Sequence, residues 1–172
     1  MAHEAGADRL ALDNQLCFSL YTASRALTGF YRELLEDLGL TYPQYLVMLV
    51  LWERGPLTVK ELGSALHLDS GTLSPLLRRL QGAGLITRER ADEDERIVRV
   101  APTEDGARLR ERAHSIPDSL LCATELSTER ARALRESLDA VTRAVEGRDE
   151  RARPAQDTNT PDPGPAEGRE RQ

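Results

Sequence analysis

The chain carries two cysteines, Cys17 and Cys122, and three histidines, His3, His67 and His114. Thiolates and imidazoles hold metals when they recur in pairs at short, fixed spacing. These residues show no such pairing, so no metal site and no cofactor is expected. What remains is sulfur redox chemistry. A thiol with a reference pKa of about 8.5 becomes a nucleophile toward peroxide when hydrogen-bond donors or positive charge stabilise its thiolate. Cys17 lies in an apolar helical stretch, where a cysteine is either a small inert hydrophobe or, given a polar handle, a reactive group. Tyrosine hydroxyls can be that handle. Tyr31 falls on nearly the same helix face as Cys17, but about 21 Å along it at 1.5 Å per residue, out of reach within one subunit. An antiparallel or crossed second copy can bring Tyr31 of one chain to Cys17 of the other, which places the thiol site at a subunit interface.

The element that carries Cys17 has the pattern such an interface needs. Leu16, Leu20, Ala23, Leu27, Phe30 and Leu34 recur at spacings of four and three, a seam that seeks a partner helix. A second seam, Ala131, Leu134, Leu138, Val141 and Val145, follows the cap-like Ser127. The two seams predict N- and C-terminal dimerisation helices. Between them, Thr41-Tyr42-Pro43 opens a helix that reaches Trp52, expected in the core, and Gly55-Pro56 closes it. Thr103-Glu104-Asp105-Gly106 opens another, which Pro117 interrupts before Cys122.

Residues 57 to 100 read as two short helices and a charged β-hairpin, the layout of a winged helix-turn-helix. Thr58-Val59-Lys60-Glu61 fits a capping box, with Val59, Leu62, Ala65 and Leu66 as the buried face of the helix it opens. Asp69 caps a second helix that turns Leu73, Leu76, Leu77 and Leu80 inward. Its exposed first turn offers Ser70, Thr72 and Ser74 to bases or phosphates, and Arg78 and Arg79 are placed for phosphates. Pro75 complicates this helix, because an interior proline removes a backbone bond and crowds the carbonyl of Gly71. Ser74-Pro75 can instead start a shorter helix, but the longer one is expected.

Gly84 ends that helix. Leu85 to Arg88 and Arg96 to Val100 are expected strands flanking the polar tip Ala91-Asp92-Glu93-Asp94-Glu95. Arg88 adds a basic side chain to this face. Arg96, with Asp94 to orient it, suits the negative potential of a minor groove. The bland alternative is a solvated, charged hairpin.

Bulk charge argues against nucleic acid, since 23 Lys and Arg face 29 Asp and Glu for a formal net charge of −6. From Leu57 to Ala101, however, seven basic residues (Lys60, Arg78, Arg79, Arg88, Arg90, Arg96, Arg99) balance seven acidic ones (Glu61, Asp69, Glu89, Asp92, Glu93, Asp94, Glu95). Affinity for duplex DNA must then come from a few placed arginines and from two copies of the module in a homodimer.

The expected organisation is a flexible, polar N-terminus over residues 1–9, one dimer-forming domain over 10–146 with its DNA-binding part at about 43–102, and a disordered, proline-rich tail over 147–172. No apolar run is long enough to span a membrane and no leader is evident, so a cytoplasmic location is expected. There both cysteines start as thiols.

Four stretches carry a resemblance: Leu12-Asp13-Asn14-Gln15-Leu16-Cys17-Phe18, Leu40-Thr41-Tyr42-Pro43-Gln44-Tyr45-Leu46, Leu68-Asp69-Ser70-Gly71-Thr72-Leu73 and Asp92-Glu93-Asp94-Glu95-Arg96. The chain resembles the MarR family of regulators, specifically its organic-hydroperoxide-sensing repressors. The resemblance implies a mainly α fold with a small β-wing, and a homodimer in which Cys17 is the peroxidatic cysteine, supported by Tyr31 and Tyr42 of the other subunit. It also implies the two-cysteine scheme, in which Cys122 of the partner condenses with oxidised Cys17 into a disulfide. Cys122 lies in the apolar patch Leu120-Leu121-Cys122-Ala123, so an inert core thiol stays open for it. The expected function is a repressor on an inverted-repeat operator that releases DNA on oxidation by organic hydroperoxide. Two other readings are a regulator released by a small aromatic acid, with Cys17 structural, and a thiol peroxidase, which the winged motif disfavours.

Overall fold

The structure is a computed structural model that describes residues 8–91 and 94–152. It divides into two units, residues up to Ser119 and residues from Leu120 onward. In the first unit, α1 (Leu16–Leu34) follows a short 3-10 turn, and α2 (Tyr42–Arg54) is opened by a capping box between Thr41 and Gln44 with Pro43 in its first turn. Proline fits there because the first backbone N–H groups of a helix have no internal partner.

The segment from Leu57 to the hairpin forms as the local signals dictate. β1 (Leu57–Thr58) leads into α3 (Val59–Leu66), where the backbone N–H of Thr58 donates to Glu61 at 2.8 Å and that of Glu61 donates to the Thr58 hydroxyl at 3.2 Å. The turn that follows is tight, since a Cβ on Gly63 would stand 2.8 Å from the Leu68 carbonyl oxygen. α4 (Ser70–Gly82) keeps Pro75 inside it, so the longer helix holds. The N–H that Pro75 lacks would have served the carbonyl of Gly71, the second residue of the helix, and Gly71 is exposed to solvent. The end of α4 is a Schellman turn: Leu85 N–H donates to the Leu80 carbonyl and Gly84 N–H to that of Gln81, with Gly84 at φ +73°.

The wing is longer than expected. β2 (Ile86–Ala91) and β3 (Asp94–Pro102) pair antiparallel, Arg88 opposite Val100 and Glu89 opposite Arg99, with a register shift after Arg90. β1 adds to the other edge of β3, giving the order β1-β3-β2. α5 (Glu104–Arg112) is capped by Thr103. α6 (Ile116–Thr124) begins a residue before Pro117. Pro117 therefore sits in the first turn of a new helix rather than breaking an old one, where its missing N–H costs nothing.

The core gathers Leu35, Val47, Met48, Leu51, Leu62, Leu73, Leu77, Leu80, Ile86 and Val100, each under 3% exposed. The Trp52 side chain packs against this core half-buried rather than within it. No residue of α1 is buried, and Leu16 (63% exposed) and Leu27 (37%) leave its apolar seam open.

In the second unit, α7 (Thr128–Ala152) leaves Leu134, Leu138, Val141 and Val145 exposed. It continues past residue 146, so 147–152, assigned above to the tail, are helical. The expected flexible N-terminus up to residue 7 and the tail from 153 lie outside the described residues.

Candidate functional site

On the α4 face, Asp69 accepts the Thr72 N–H at 2.8 Å through one carboxylate oxygen and the Thr72 hydroxyl at 3.0 Å through the other. These N–H and O–H bonds hold its carboxyl below the usual carboxylate range. The Thr72 hydroxyl proton is thereby committed, and what it offers outward is its lone pairs. Ser70 and Thr72 are exposed, as are Arg78 and Arg79 two turns on. Ser74, expected in the exposed first turn, is half-buried, because it lies beside the inward Leu73 and Leu77.

Arg88 departs from a simple surface arginine. It is half-buried, and its Nε is buried with no hydrogen-bond partner among the described residues. It lines an apolar cleft of about 590 Å³ between α3, the start of α4 and the wing, together with Lys60, Ser70 and Ile97. A buried, unpartnered donor on a cationic group is costly until an anion reaches it. Asp94 and Arg96 fall in β3, but their side chains lie outside those described.

Cys17 is exposed, one residue into α1. Its exposure is inconsistent with a cysteine sealed in the core of its own chain. One turn further, the Tyr21 hydroxyl accepts a hydrogen bond from Arg25 at 2.9 Å, and the guanidinium carbon stands 5.6 Å from the Tyr21 ring centre. Helix spacing alone, four residues at each step, could have flagged this pair beside Cys17.

Tyr31 and Tyr42 come from different helices and meet with ring centres 4.5 Å apart. Tyr45, which the sequence reading did not single out, completes the cluster at 6.0 Å from Tyr31 and is 2% exposed. The signal available for it was its position three residues after Tyr42, on the same face of α2. Burial, with the neighbouring Tyr42 and Tyr45, pushes the Tyr31 phenol up to about 12, and burial raises Tyr42 and Tyr45 too. All three phenols stay protonated near neutral pH, as hydrogen-bond donors. Tyr31 remains on the same helix as Cys17, about 21 Å along it. In the second unit, Cys122 is an exposed free thiol on α6. It does not stand in the core of its own chain. Among the described residues no cluster of His, Cys, Asp and Glu could hold a metal, and no helix is long and apolar enough to cross a membrane.

A helix whose first turn stands open beside a two-stranded ribbon is the geometry with which winged-helix proteins meet duplex DNA. Known proteins narrow that class. The MarR family model matches residues 40–98. The organic hydroperoxide resistance transcriptional regulator of Bacillus subtilis is 51% identical over 131 residues, 76% of this chain and 89% of that protein. The regulator MgrA of Staphylococcus aureus is 37% identical over 81% of this chain and 95% of its own length. A structure of reduced AbfR bound to DNA superposes with a TM-score of 0.69 at 36% identity, covering 80% of this chain and 96% of that one. A disulfide-formed AbfR gives 0.57 at 35% identity, over 78% and 95% of the two chains. The chain belongs to the MarR family and is a DNA-binding transcriptional regulator of that kind.

Proposed function

We propose that this regulator is a redox-switched repressor: its reduced homodimer holds an inverted-repeat operator, and oxidation of Cys17 by an organic hydroperoxide releases the DNA. The observation that carries the reading is the exposed Cys17 thiol at the start of a helix whose apolar seam is unburied, in a chain that also presents a pair of protonated phenols. A second copy covering the seam supplies Tyr31 and Tyr42 to Cys17. DNA is met by Ser70, Thr72 and Ser74 from α4, by Arg78, Arg79 and Arg88 at phosphates, and by Arg96, oriented by Asp94, at the wing. The name of the Bacillus subtilis relative points to organic hydroperoxide as oxidant.

The chemistry balances in two steps. The Cys17 thiolate attacks the terminal peroxide oxygen, the O–O bond breaks, and the alkoxide leaves as an alcohol after taking a proton. Cys17 is then a sulfenic acid. The partner's Cys122 attacks that sulfur, the S–O bond breaks, water leaves and an intersubunit disulfide forms. A dithiol reduces it back. A hundredfold loss of operator affinity corresponds to about 2.7 kcal/mol, a modest coupling for a covalent tie across two DNA-reading modules.

A gel shift on the DNA upstream of the chain's own gene tests this. The reduced protein binds, cumene hydroperoxide releases it and dithiothreitol restores binding. The variant Cys17→Ser binds and ignores the oxidant, and its release by cumene hydroperoxide would contradict the role given to Cys17. In Cys122→Ser the reducible dimer band disappears from a non-reducing gel, and its persistence removes Cys122 from the scheme.

A further inference from the structure

The tyrosine cluster does not end at Tyr45. Its ring meets that of Trp52 edge-on, with centres 6.2 Å apart, two turns along the same face of α2. The Trp52 indole N–H then leaves the helix and donates to the Gly106 carbonyl at 2.8 Å, a bond that spans 54 residues of sequence.

Gly106 is the point where three elements touch. It lies in the first turn of α5, and its Cα approaches so closely that a Cβ there would stand 2.0 Å from the Leu85 carbonyl oxygen and 3.2 Å from Met48 Cε of α2. The same turn is clamped to the root of the wing. The Thr103 hydroxyl donates to the Gly84 carbonyl at 2.6 Å and accepts the Gly106 N–H at 3.0 Å, while the Thr103 N–H donates to the Leu85 carbonyl at 3.0 Å. Gly84 and Leu85 are the residues that turn the chain from α4 into β2. A path of direct contacts therefore runs from Tyr31 and Tyr42 through Tyr45 and Trp52 to the hinge between the reading helix and the wing.

We infer that Trp52 is a positioning residue that couples the tyrosine cluster to the wing: its hydrogen bond to Gly106 fixes the register of α2 against α5, and so the angle at which the wing leaves α4. The inference rests on the redox reading above, because a change at the cluster is the signal it carries. An indole N–H donor on a carbonyl is directional in a way that ring packing is not. A shift of α2 that follows rearrangement of Tyr31 and Tyr42 must either drag the Gly106 turn with it or break this bond. Both alter the clamp on Gly84 and Leu85.

The test separates coupling from plain stability. Trp52→Phe keeps a six-membered aromatic ring toward Tyr45 and removes the donor together with the indole's five-membered ring. Its Cys17 thiol is oxidised by cumene hydroperoxide at the parent rate, followed by thiol titration, and its reduced form binds operator DNA. The ratio of oxidised to reduced Kd, however, falls by about fivefold relative to the parent, the equivalent of one hydrogen bond. A purely structural role would weaken both states alike and leave that ratio unchanged, and an unchanged ratio overturns the inference. If the parent itself is not released by the oxidant, the redox reading fails and the relay fails with it. If the parent is released and the variant matches it, only the relay fails. Trp52 is the single tryptophan of the chain, so an independent measurement needs no variant. Its emission must move when the unmodified protein is oxidised, and again when the reduced protein binds DNA, because coupling between two sites is reciprocal. Emission indifferent to both overturns the inference.

Discussion

Gly106→Ala is the most informative single perturbation of this fold. Alanine ordinarily improves a helix position held by glycine, by up to about 1 kcal/mol. Here the added Cβ would lie 2.0 Å from the Leu85 carbonyl oxygen. That obstacle is backbone rather than the movable end of a side chain, so the first turn of α5 and the wing root must part by about an ångström or more. Overpacking of this kind costs about 1–3 kcal/mol. The separation also strains the bonds from Trp52 to Gly106 and from Thr103 to Gly84 and Leu85, each worth about 1 kcal/mol. The net expectation is a loss of about 2–4 kcal/mol, or about 5–15 °C in Tm for a chain of this size. Gly82→Ala is the control: an exposed position in α4 with nothing within 4 Å of the added Cβ, expected to gain about 0.5 kcal/mol. Thermal unfolding followed by circular dichroism, at one fixed protein concentration because any self-association makes Tm concentration-dependent, compares the two. A Gly106→Ala protein as stable as the Gly82→Ala protein would refute the close approach of α5 to the wing root.

Arg88→Met removes a buried donor that has no partner among the described residues, so its Tm stays level or rises while operator affinity falls and the slope of log K against log salt becomes shallower by about 1; unchanged affinity at low salt would show that Arg88 meets no phosphate. The Tyr31 phenol titrates at about 12 in the fold, against about 10 in an unfolded chain. Its contribution is therefore intact below pH of about 10 and is lost as pH rises toward 12, so Tyr31→Phe should show a shallower alkaline fall in urea midpoint over that window, and identical profiles would contradict the burial. Thr58→Ala deletes the capping box of α3 and should lower stability by about 1 kcal/mol in urea unfolding, while a neutral result would mean that the Glu61 contacts add nothing.

Elements announced by short-range chemistry were legible in the sequence. The Thr58 box, the Asp69 cap and the Gly84 turn each work within a few residues, and α3, α4 and the wing stand where those signals put them. Two residues of β1 carry too little pattern to be seen and exist because β3 offers them an edge. The wing outgrew its predicted ends because strand pairing continued into polar residues that periodicity alone assigns to a tip. The Trp52 bond to Gly106 is out of reach for a different reason: it joins residues far apart in sequence, and spacing within one helix says nothing about a neighbour supplied by another. Ser74 is less exposed than its neighbours Ser70 and Thr72 because it lies past the first turn of α4, beside inward leucines. Spacing alone leaves the exposure of Cys17 undecided, since an open apolar seam looks the same in sequence as a core face.

The central claim, that Cys17 is activated by phenols of the other subunit, is tested most directly by mixing two disabled chains. One carries Cys17→Ser with its tyrosines intact, and the other keeps Cys17 but carries Tyr31→Phe and Tyr42→Phe. Each homodimer should be inert or slow toward cumene hydroperoxide. The mixed dimer, isolated with two different affinity tags, faces the remaining Cys17 with two intact phenols and should recover the parent's second-order rate of thiol oxidation at that site. A mixed dimer as slow as the double-phenylalanine homodimer would contradict the account.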